Sequence, residues 1–374
     1  ALTGNAAKDA LRNHIATLNK ESAKLLIRII RKDFRAGFSE KIINKTCKGL
    51  IPEYSYMRCS LPAGSKIKEF PWEKGVYSEV KMDGLFLNAN WLEDLHFTSR
   101  AGSVFPTEPF SDIKDSVSLE DFYEQQTHGE LLVEENGQYL PRKTGNGILN
   151  SVSQGGSFGP GQKPVYVVWD IIPIEFAKKK GKYKVPYKDR LAKLESIVGK
   201  DNPHIRVVEY EILHSYKECI EHSMRMIKSG KEGTVIKHPD MIWEDGTSKY
   251  QVKIKVEFDC DLEIVEILPG KVDTKLEGRP GAFLLKSSCG KLKVKAVIKN
   301  DAMRAAVEKD PEDWIGRIIE TTGNELMESS DTPDDYSLYL PRLAVDYYRE
   351  DKLVSDDVKR IKEIVENYMV LVEL

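Results

Sequence analysis

Glu79-Val80-Lys81-Met82-Asp83-Gly84-Leu85-Phe86 places a lysine between apolar neighbours, followed by a carboxylate and a glycine. Two readings fit: Lys81 is a nucleophile, or it is an exposed lysine ahead of an Asp-Gly turn. Four residues of this form recur by chance, so the choice depends on whether the rest of the chain completes a site. Around it, Val76 to Phe97 is short and strand-like, and Asp83-Gly84 turns the chain so that Lys81 sits at the mouth of a pocket. Upstream, Ile51-Pro52 to Pro71 is loop-like, broken by Pro62 and Gly64, and a domain boundary is expected there. Residues 1 to 56 predict three short helices: Leu11, Ile15 and Leu18 recur at helical spacing, as do Leu26, Ile29 and Ile30, and Gly37 with Ser39 marks a stop and a new cap. Lys20, Lys24, Arg28, Arg31, Lys32, Arg35, Lys41, Lys45 and Lys48 line their polar faces, as phosphate contacts or as an ordinary solvated surface.

Downstream, Thr98-Ser99-Arg100-Ala101-Gly102 offers an arginine that either reaches a ribose or phosphate or sits in a surface turn. His128-Gly129-Glu130-Leu131-Leu132-Val133 opens an apolar strand with a carboxylate at its start, suited to a divalent metal, a ribose hydroxyl or plain solvent. Arg142 to Gly161, rich in glycine, serine and asparagine, reads as a mobile loop. Tyr166 to Ile172 is a strongly apolar strand in which Trp169 either stacks on a purine or joins the core. The basic run Lys178 to Lys184 suits a loop over nucleic acid and a solvated loop equally. Helices are predicted over 187 to 198 and 215 to 228, the second ending at Gly230. Glu232-Gly233-Thr234-Val235-Ile236-Lys237 then carries a carboxylate into another strand. Lys253 and Lys255, at i and i+2, leave one face of a strand, where they repel each other unless an anion such as a phosphate lies between them.

The last third predicts a small barrel, with strands over Asp261 to Leu268, Ala282 to Ser288, Lys291 to Val297, Trp314 to Thr321 and Ser337 to Tyr348 and a helix over Asn300 to Lys309. Five strands suggest an OB-like platform for nucleic acid. Arg349-Glu350-Asp351-Lys352 follows, and Ser355 is the expected cap of a terminal helix with Val358, Ile361, Ile364 and Val365 as its apolar stripe.

The 374 residues, 41% hydrophobic and 31% charged, allow two or three domains, and a net charge of -3 neither supports nor excludes a polyanion partner. The five cysteines, Cys47, Cys59, Cys219, Cys260 and Cys289, include no Cys-x-x-Cys pair, which argues against a zinc site or a disulfide framework and for a reducing cytoplasm. No apolar run reaches membrane-spanning length and no signal peptide is expected, while a start at Ala1 rather than Met fits a processed or trimmed terminus.

The ordered series Lys81-x-Asp83-Gly84, Ser99-Arg100-x-Gly102, Gly129-Glu130-Leu131, Trp169-Asp170, Glu232-Gly233, Lys253-x-Lys255 and Arg349-x-Asp351-Lys352 resembles the motif set of covalent nucleotidyltransferases. Within that superfamily the chain resembles ATP-dependent DNA ligases, most closely the T-even phage type, through Leu2-Thr3-Gly4-Asn5-Ala6-Ala7, Gly49-Leu50-Ile51-Pro52-Glu53, Asn146-Gly147-Ile148-x-Asn150, Val168-Trp169-Asp170 and Arg349-Glu350-Asp351-Lys352. The resemblance implies an α+β, multidomain chain: a reduced helical DNA-binding module at 1–56, a mixed α/β nucleotidyltransferase (adenylation) domain with antiparallel sheets at 57–256, and an OB-fold β-barrel at 257–374. It implies sealing of 3′-OH/5′-phosphate nicks in double-stranded DNA by a monomer whose three domains encircle the duplex, using ATP and Mg²⁺, with Mn²⁺ able to substitute.

By the same resemblance Lys81 attacks the α-phosphate of ATP, and Lys253, Lys255 and Mg²⁺ disfavour its ammonium form while meeting phosphoryl charge. Glu130 and Glu232 hold the metal or the ribose. Trp169 stacks on adenine with Val235 or Ile236 opposite, Glu79 reads the exocyclic amine, and Arg100 contacts the nucleotide. Arg349, Asp351 and Lys352 swing in to orient pyrophosphate about a hinge near Val256 to Asp259. Two residues depart from the family pattern. Phe86 stands where DNA ligases usually carry an arginine, and His128 replaces the first acid of Asp-Gly-Glu. RNA ligases and RNA-capping guanylyltransferases share the lysine chemistry, and a non-catalytic nick-binding module would share the fold.

Overall fold

A computed structural model describes residues 4–31, 37, 39–255, 257–272, 274–329, 332 and 334–371. Leu2, Thr3, Lys32, Arg35 and the expected hinge residue Val256 lie outside the described residues. The helices Gly4–Ala16, Lys20–Ile30 and Glu40–Thr46 form as their periodicity predicts, and Asn19 caps the second by accepting from the Ser22 N–H at 2.9 Å. The first two bury no residue, so their apolar positions are not part of the molecule's core.

Two largely antiparallel sheets face each other across a cleft, a mixed α/β architecture. The first runs in the order Met57–Ser60, Gly246–Lys255, Gly233–Lys237, Val76–Val80, Tyr210–Leu213. The second is built on Gln162–Pro173, Gln125–Glu135 and Leu85–Trp91, with Ile205–Val207 at one edge and Leu95–Thr98 and Val104–Phe105 at the other. Lys81 to Gly84 connect Val76–Val80 of the first sheet to Leu85–Trp91 of the second, so the lysine stretch is the crossing point between them.

Each sheet buries its outer face on helices. Thr234 and Ile236 point toward the helix Tyr216–Lys228, where Thr234 bonds Ser223 and Ile236 packs with Cys219, Ile220 and Met224. Behind the second sheet, Leu87, Leu131, Tyr166 and Val168 pack with Leu149 and Val152 of the helix Arg142–Ser153 and Leu194 and Val198 of the helix Tyr187–Val198. A third sheet holds Phe258–Pro269, Pro280–Lys286, Lys293–Val297, Ile318–Gly323 and Arg342–Leu343 around Phe283 and Trp314, with the helices Asp301–Lys309 and Val358–Leu371 packed on it.

Several expectations are corrected. Arg142 to Ser153 is a helix rather than a loop, because Gly145, Leu149 and Val152 fall at i, i+4 and i+7 and are buried; a glycine at the first of these positions hides the stripe. The loop-like stretch before Pro71 contains the strand Met57–Ser60, which pairs in parallel with Gly246–Lys255. Glu130 lies in the middle of its strand, which begins at Gln125. Trp314 precedes its strand, which starts at Ile318, and fills the third core instead. Ser337 to Tyr348 divides into Tyr336–Tyr339, paired with the unforeseen strand Glu325–Glu328, and Arg342–Leu343. Asp357, not Ser355, caps the final helix, accepting from the Arg360 N–H at 2.7 Å, while the Ser355 hydroxyl is buried without a hydrogen bond. All five cysteines are free, and among the described residues no helix is long and apolar enough to cross a membrane.

Candidate active site

Strand alternation sets the chemistry of the cleft face of the first sheet in three rows. The Lys81 N–H donates to the Gly233 carbonyl at 2.9 Å, and Gly233 lies opposite Lys255. The next row is Glu79, Val235 and Lys253, and the third is Tyr77, Lys237 and Gln251. Lys81 and Lys255 therefore flank a residue with no side chain. Gly233 adopts φ +136°, and a Cβ there would lie 2.2 Å from the Ile254 carbonyl oxygen. Gly233→Ala is expected to cost about 1–3 kcal/mol through backbone strain, read as a lowered melting temperature, and to displace the Lys81 backbone with it.

Lys81 Nζ forms an ion pair with Glu232, with both side chains partly exposed. Glu130 reaches the same place from the second sheet and accepts the Gly84 N–H, tying the Asp-Gly turn down. Burial pushes the Glu130 carboxyl up to about 7, with Glu232 and Asp83 adding to the rise and Lys81 opposing it. Burial likewise raises Asp83, which pairs with Arg142 at 3.0 Å, and lowers Lys255, whose nearest carboxylate partner is Glu257 at 3.7 Å. The cavity at this point has a volume of about 1150 Å³ and is lined by Lys81, Asp83, Glu232 and Lys255 on one side and by Glu325 and Tyr339 on the other. Arg142 also reaches the Tyr339 hydroxyl at 2.8 Å and so links the nucleophile turn to the Tyr336–Tyr339 strand.

Glu79 lies deeper. Its carboxylate is 2% exposed, pairs with Lys237 at 2.6 Å and accepts from the Tyr187 hydroxyl. Lys237 also donates to the Trp169 carbonyl at 3.4 Å and lies 4.3 Å from the Tyr187 ring centroid. Burial outweighs the lysine and pushes Glu79 up to about 7. Because that value lies above the ordinary carboxylate value of the unfolded chain, Glu79's stabilising contribution is complete below about pH 4.5 and is lost as pH rises through about 7. Glu79→Gln should therefore flatten the fall in melting temperature between pH 5 and 8 measured without nucleotide.

Trp169 owes its position to a bulge: Gly129 pairs with Val168 and His128 with Asp170, leaving Trp169 as the extra residue, partly buried against Val80, Met82 and Val167. Its neighbour Asp170 turns away to make a buried bidentate pair with Arg190 at 2.7 and 3.0 Å. His128 is buried, held toward neutrality at about 4 by desolvation, and stacked on Trp243. Val235, not Ile236, faces the cleft, because Ile236 is fully buried toward the helix.

Residues 62–255, just over half of the chain, match the family described as ATP dependent DNA ligase domain. The chain belongs to the ATP-dependent DNA ligase family. The ligase is 28% identical over 401 residues to the DNA ligases of Enterobacteria phages T4 and T6, a match covering 94% of this chain and 80% of each relative. A solved structure named "Pmar-Lig_Pre." shares its fold, with a TM-score of 0.68 and 22% identity over 94% of this chain and 81% of the other.

The ligase thus gathers Lys81, Glu130, Glu232, Lys253 and Lys255 on the cleft, with Glu79 and Trp169 in its inner wall and Arg100 in a turn at its rim. Arg349, Asp351 and Lys352 are elsewhere. Asp261 accepts from Arg349 at 2.8 Å and from Lys352 at 2.7 Å, Asp356 also holds Lys352, and Asp351 pairs with Arg349. Arg349 and Lys352 line a separate 260 Å³ cavity with Asp259 and Glu320, and none of the three lines the one containing Lys81. In the basic run, Lys179 pairs with Glu53 and Lys182 with Glu244, so part of its charge is already matched. Lys237 and Arg142 are the site residues that sequence reasoning missed. Lys237 was within reach, since alternation puts it on the face of Gly233 and Val235; Arg142 was hidden by the loop reading of its helix.

Proposed function

We propose that this ATP-dependent DNA ligase seals 3′-OH/5′-phosphate nicks through a lysyl-AMP at Lys81. The row Lys81, Gly233, Lys255 carries the proposal, because it sets an amine and a cation on either side of a gap open to a phosphate. Lys81 Nζ attacks the α-phosphorus of ATP; the P–N bond forms, the bond to pyrophosphate breaks, and the amine gives up a proton. Attack needs the free amine, so the Glu232 contact must open first. The AMP then passes to the 5′-phosphate of the nick, freeing Lys81. The 3′-hydroxyl finally forms the phosphodiester with AMP as leaving group. Lys253 and Lys255 neutralise phosphate oxygens throughout.

Glu130 and Glu232 are the proposed Mg²⁺ ligands. Glu130 and Glu232 approach each other from the two sheets, and burial raises the Glu130 carboxyl with Glu232 and Asp83 adding to the rise. Mg²⁺ characteristically takes one or two carboxylates and completes its set with phosphates and water. When bound, Mg²⁺ or Mn²⁺ would supply neutralisation of phosphoryl oxygens. Trp169 stacks on adenine with Val235 across the cleft, and Glu79, oriented by Lys237 and Tyr187, reads the exocyclic amine. Arg349, Asp351 and Lys352 reach the nucleotide only after the C-terminal part turns, and Asp261, which turns with them, keeps Arg349 and Lys352 in place.

Three domains, 1–56, 57–256 and 257–374, closing around the duplex as a cytoplasmic monomer complete the proposal. The third is read as an OB-fold because its sheet holds five strands with the helix Asp301–Lys309 between the third and fourth. The test incubates the protein with Mg²⁺ and labelled ATP or GTP, then with nicked duplexes of DNA or RNA on either side. Covalent AMP and sealed DNA are expected. Label from GTP alone, or nick binding with no covalent AMP, would overturn the proposal.

A further inference from the structure

Phe86 lies two residues after the Asp83-Gly84 turn, and the fold brings a guanidinium to its ring. Phe86 lies opposite Glu130 in the strand pairing, so its ring stands on the cleft face beside that carboxylate. Arg100, in the turn after Leu95–Thr98, holds its guanidinium carbon 4.4 Å from the Tyr56 ring centroid and 5.3 Å from that of Phe86. The two rings meet edge to face at 4.8 Å and so form a two-sided cradle. Tyr54 presses on the other end of the same turn: a Cβ on Gly102 would fall 2.0 Å from its ring. The described partners of the Arg100 guanidinium are rings rather than a carboxylate, which leaves its N–H donors for an anion.

We propose that Phe86 and Tyr56 are positioning residues that hold Arg100 at the rim of the cleft to receive a substrate phosphate. The inference rests on the nick-sealing reading above. A leucine at position 86 would remove the negative ring face that attracts the guanidinium, and with it the ring contact to Trp169 at 5.9 Å, which Phe86→Tyr retains. Tyr54 and Tyr56 also belong to the segment that leaves the N-terminal helices, so the placement of those helices is tied to the aim of Arg100.

A double-mutant cycle on the separated steps tests this: lysyl-AMP formation with ATP alone, and sealing of a nick already carrying 5′-AMP. Phe86→Leu is expected to slow the step whose phosphate Arg100 holds by about 2- to 30-fold, the range of one cation–π contact. Slowing of the first step assigns an ATP phosphate, and slowing of the second a DNA phosphate. Arg100→Ala should slow the same step at least as much, adding Phe86→Leu to Arg100→Ala should change nothing further, and Phe86→Tyr should restore the wild-type rate. Multiplying effects of Phe86→Leu and Arg100→Ala, or no recovery with Phe86→Tyr in a variant that melts normally, would overturn the inference. Failure of the wild-type protein to form lysyl-AMP or seal a nick would instead overturn the ligase reading.

Discussion

Replacing Lys81 with alanine is expected to reduce covalent AMP to background while leaving the sealing of a pre-adenylylated nick largely intact. The two results separate chemistry from architecture. Lys81 is partly exposed, and its side-chain partner is a single carboxylate, so its removal deletes an amine without opening the core. Only the steps that create or discharge lysyl-AMP require that amine. Lys81→Arg should be equally inactive in labelling, since a guanidinium stays protonated and cannot attack. Labelled protein after Lys81→Ala, mapped by peptide digestion to another residue, would sink the nucleophile assignment.

Asp170→Ala should produce the largest loss of stability, about 3–5 kcal/mol, by stranding the Arg190 guanidinium in the core. Arg190 is 1% exposed and Asp170 4%. Arg190 also donates to the Met241 carbonyl at 3.1 Å, so its geometry is fixed and it cannot swing out to water. At roughly 2–4 °C per kcal/mol for a catalytic part of this size, the melting temperature should fall by about 6–20 °C. Asp170→Leu combined with Arg190→Met should recover much of that loss, because no charge is left unpaired. A single Asp170→Ala variant that melts like wild type would show that the pair contributes no net stability. The adjacent Trp169 should behave oppositely, with its truncation affecting the nucleotide step more than the melting temperature.

Much of the site was legible because alternation along a strand is a strict rule. Lys253 and Lys255 on one face, and Glu232 entering the strand beside them, follow from a period of two. The separation of Trp169 from Asp170 follows from the same period plus a bulge that no local pattern announces. The helix at Arg142–Ser153 was not legible because glycine and serine carry little apolar signal, and its buried face becomes visible only against Leu131 and Val133 of a neighbouring strand. The hairpin of Glu325–Glu328 and Tyr336–Tyr339 escaped for a related reason: its residues are mostly half-buried, so no clean alternation marks it. Composition also could not reveal that Arg349 and Lys352 rest on Asp261, a carboxylate about ninety residues earlier in the chain.

The two sheets differ in how far apart their strands lie along the polypeptide, and that difference sets an order of events during synthesis. The second sheet draws every strand from residues 85 to 207, whereas the first pairs Met57–Ser60 and Val76–Val80 with strands that end only at Lys255. Local pairing closes sooner than distant pairing, and chains emerge from the ribosome at about 5–20 residues per second. The second sheet can therefore assemble while the strands carrying Glu232 and Lys255 are still unmade. For that interval Lys81 stands just ahead of an interior strand of the second sheet without its row partners Gly233 and Lys255, and the proposed function predicts that a chain ending before Glu232 forms no covalent AMP.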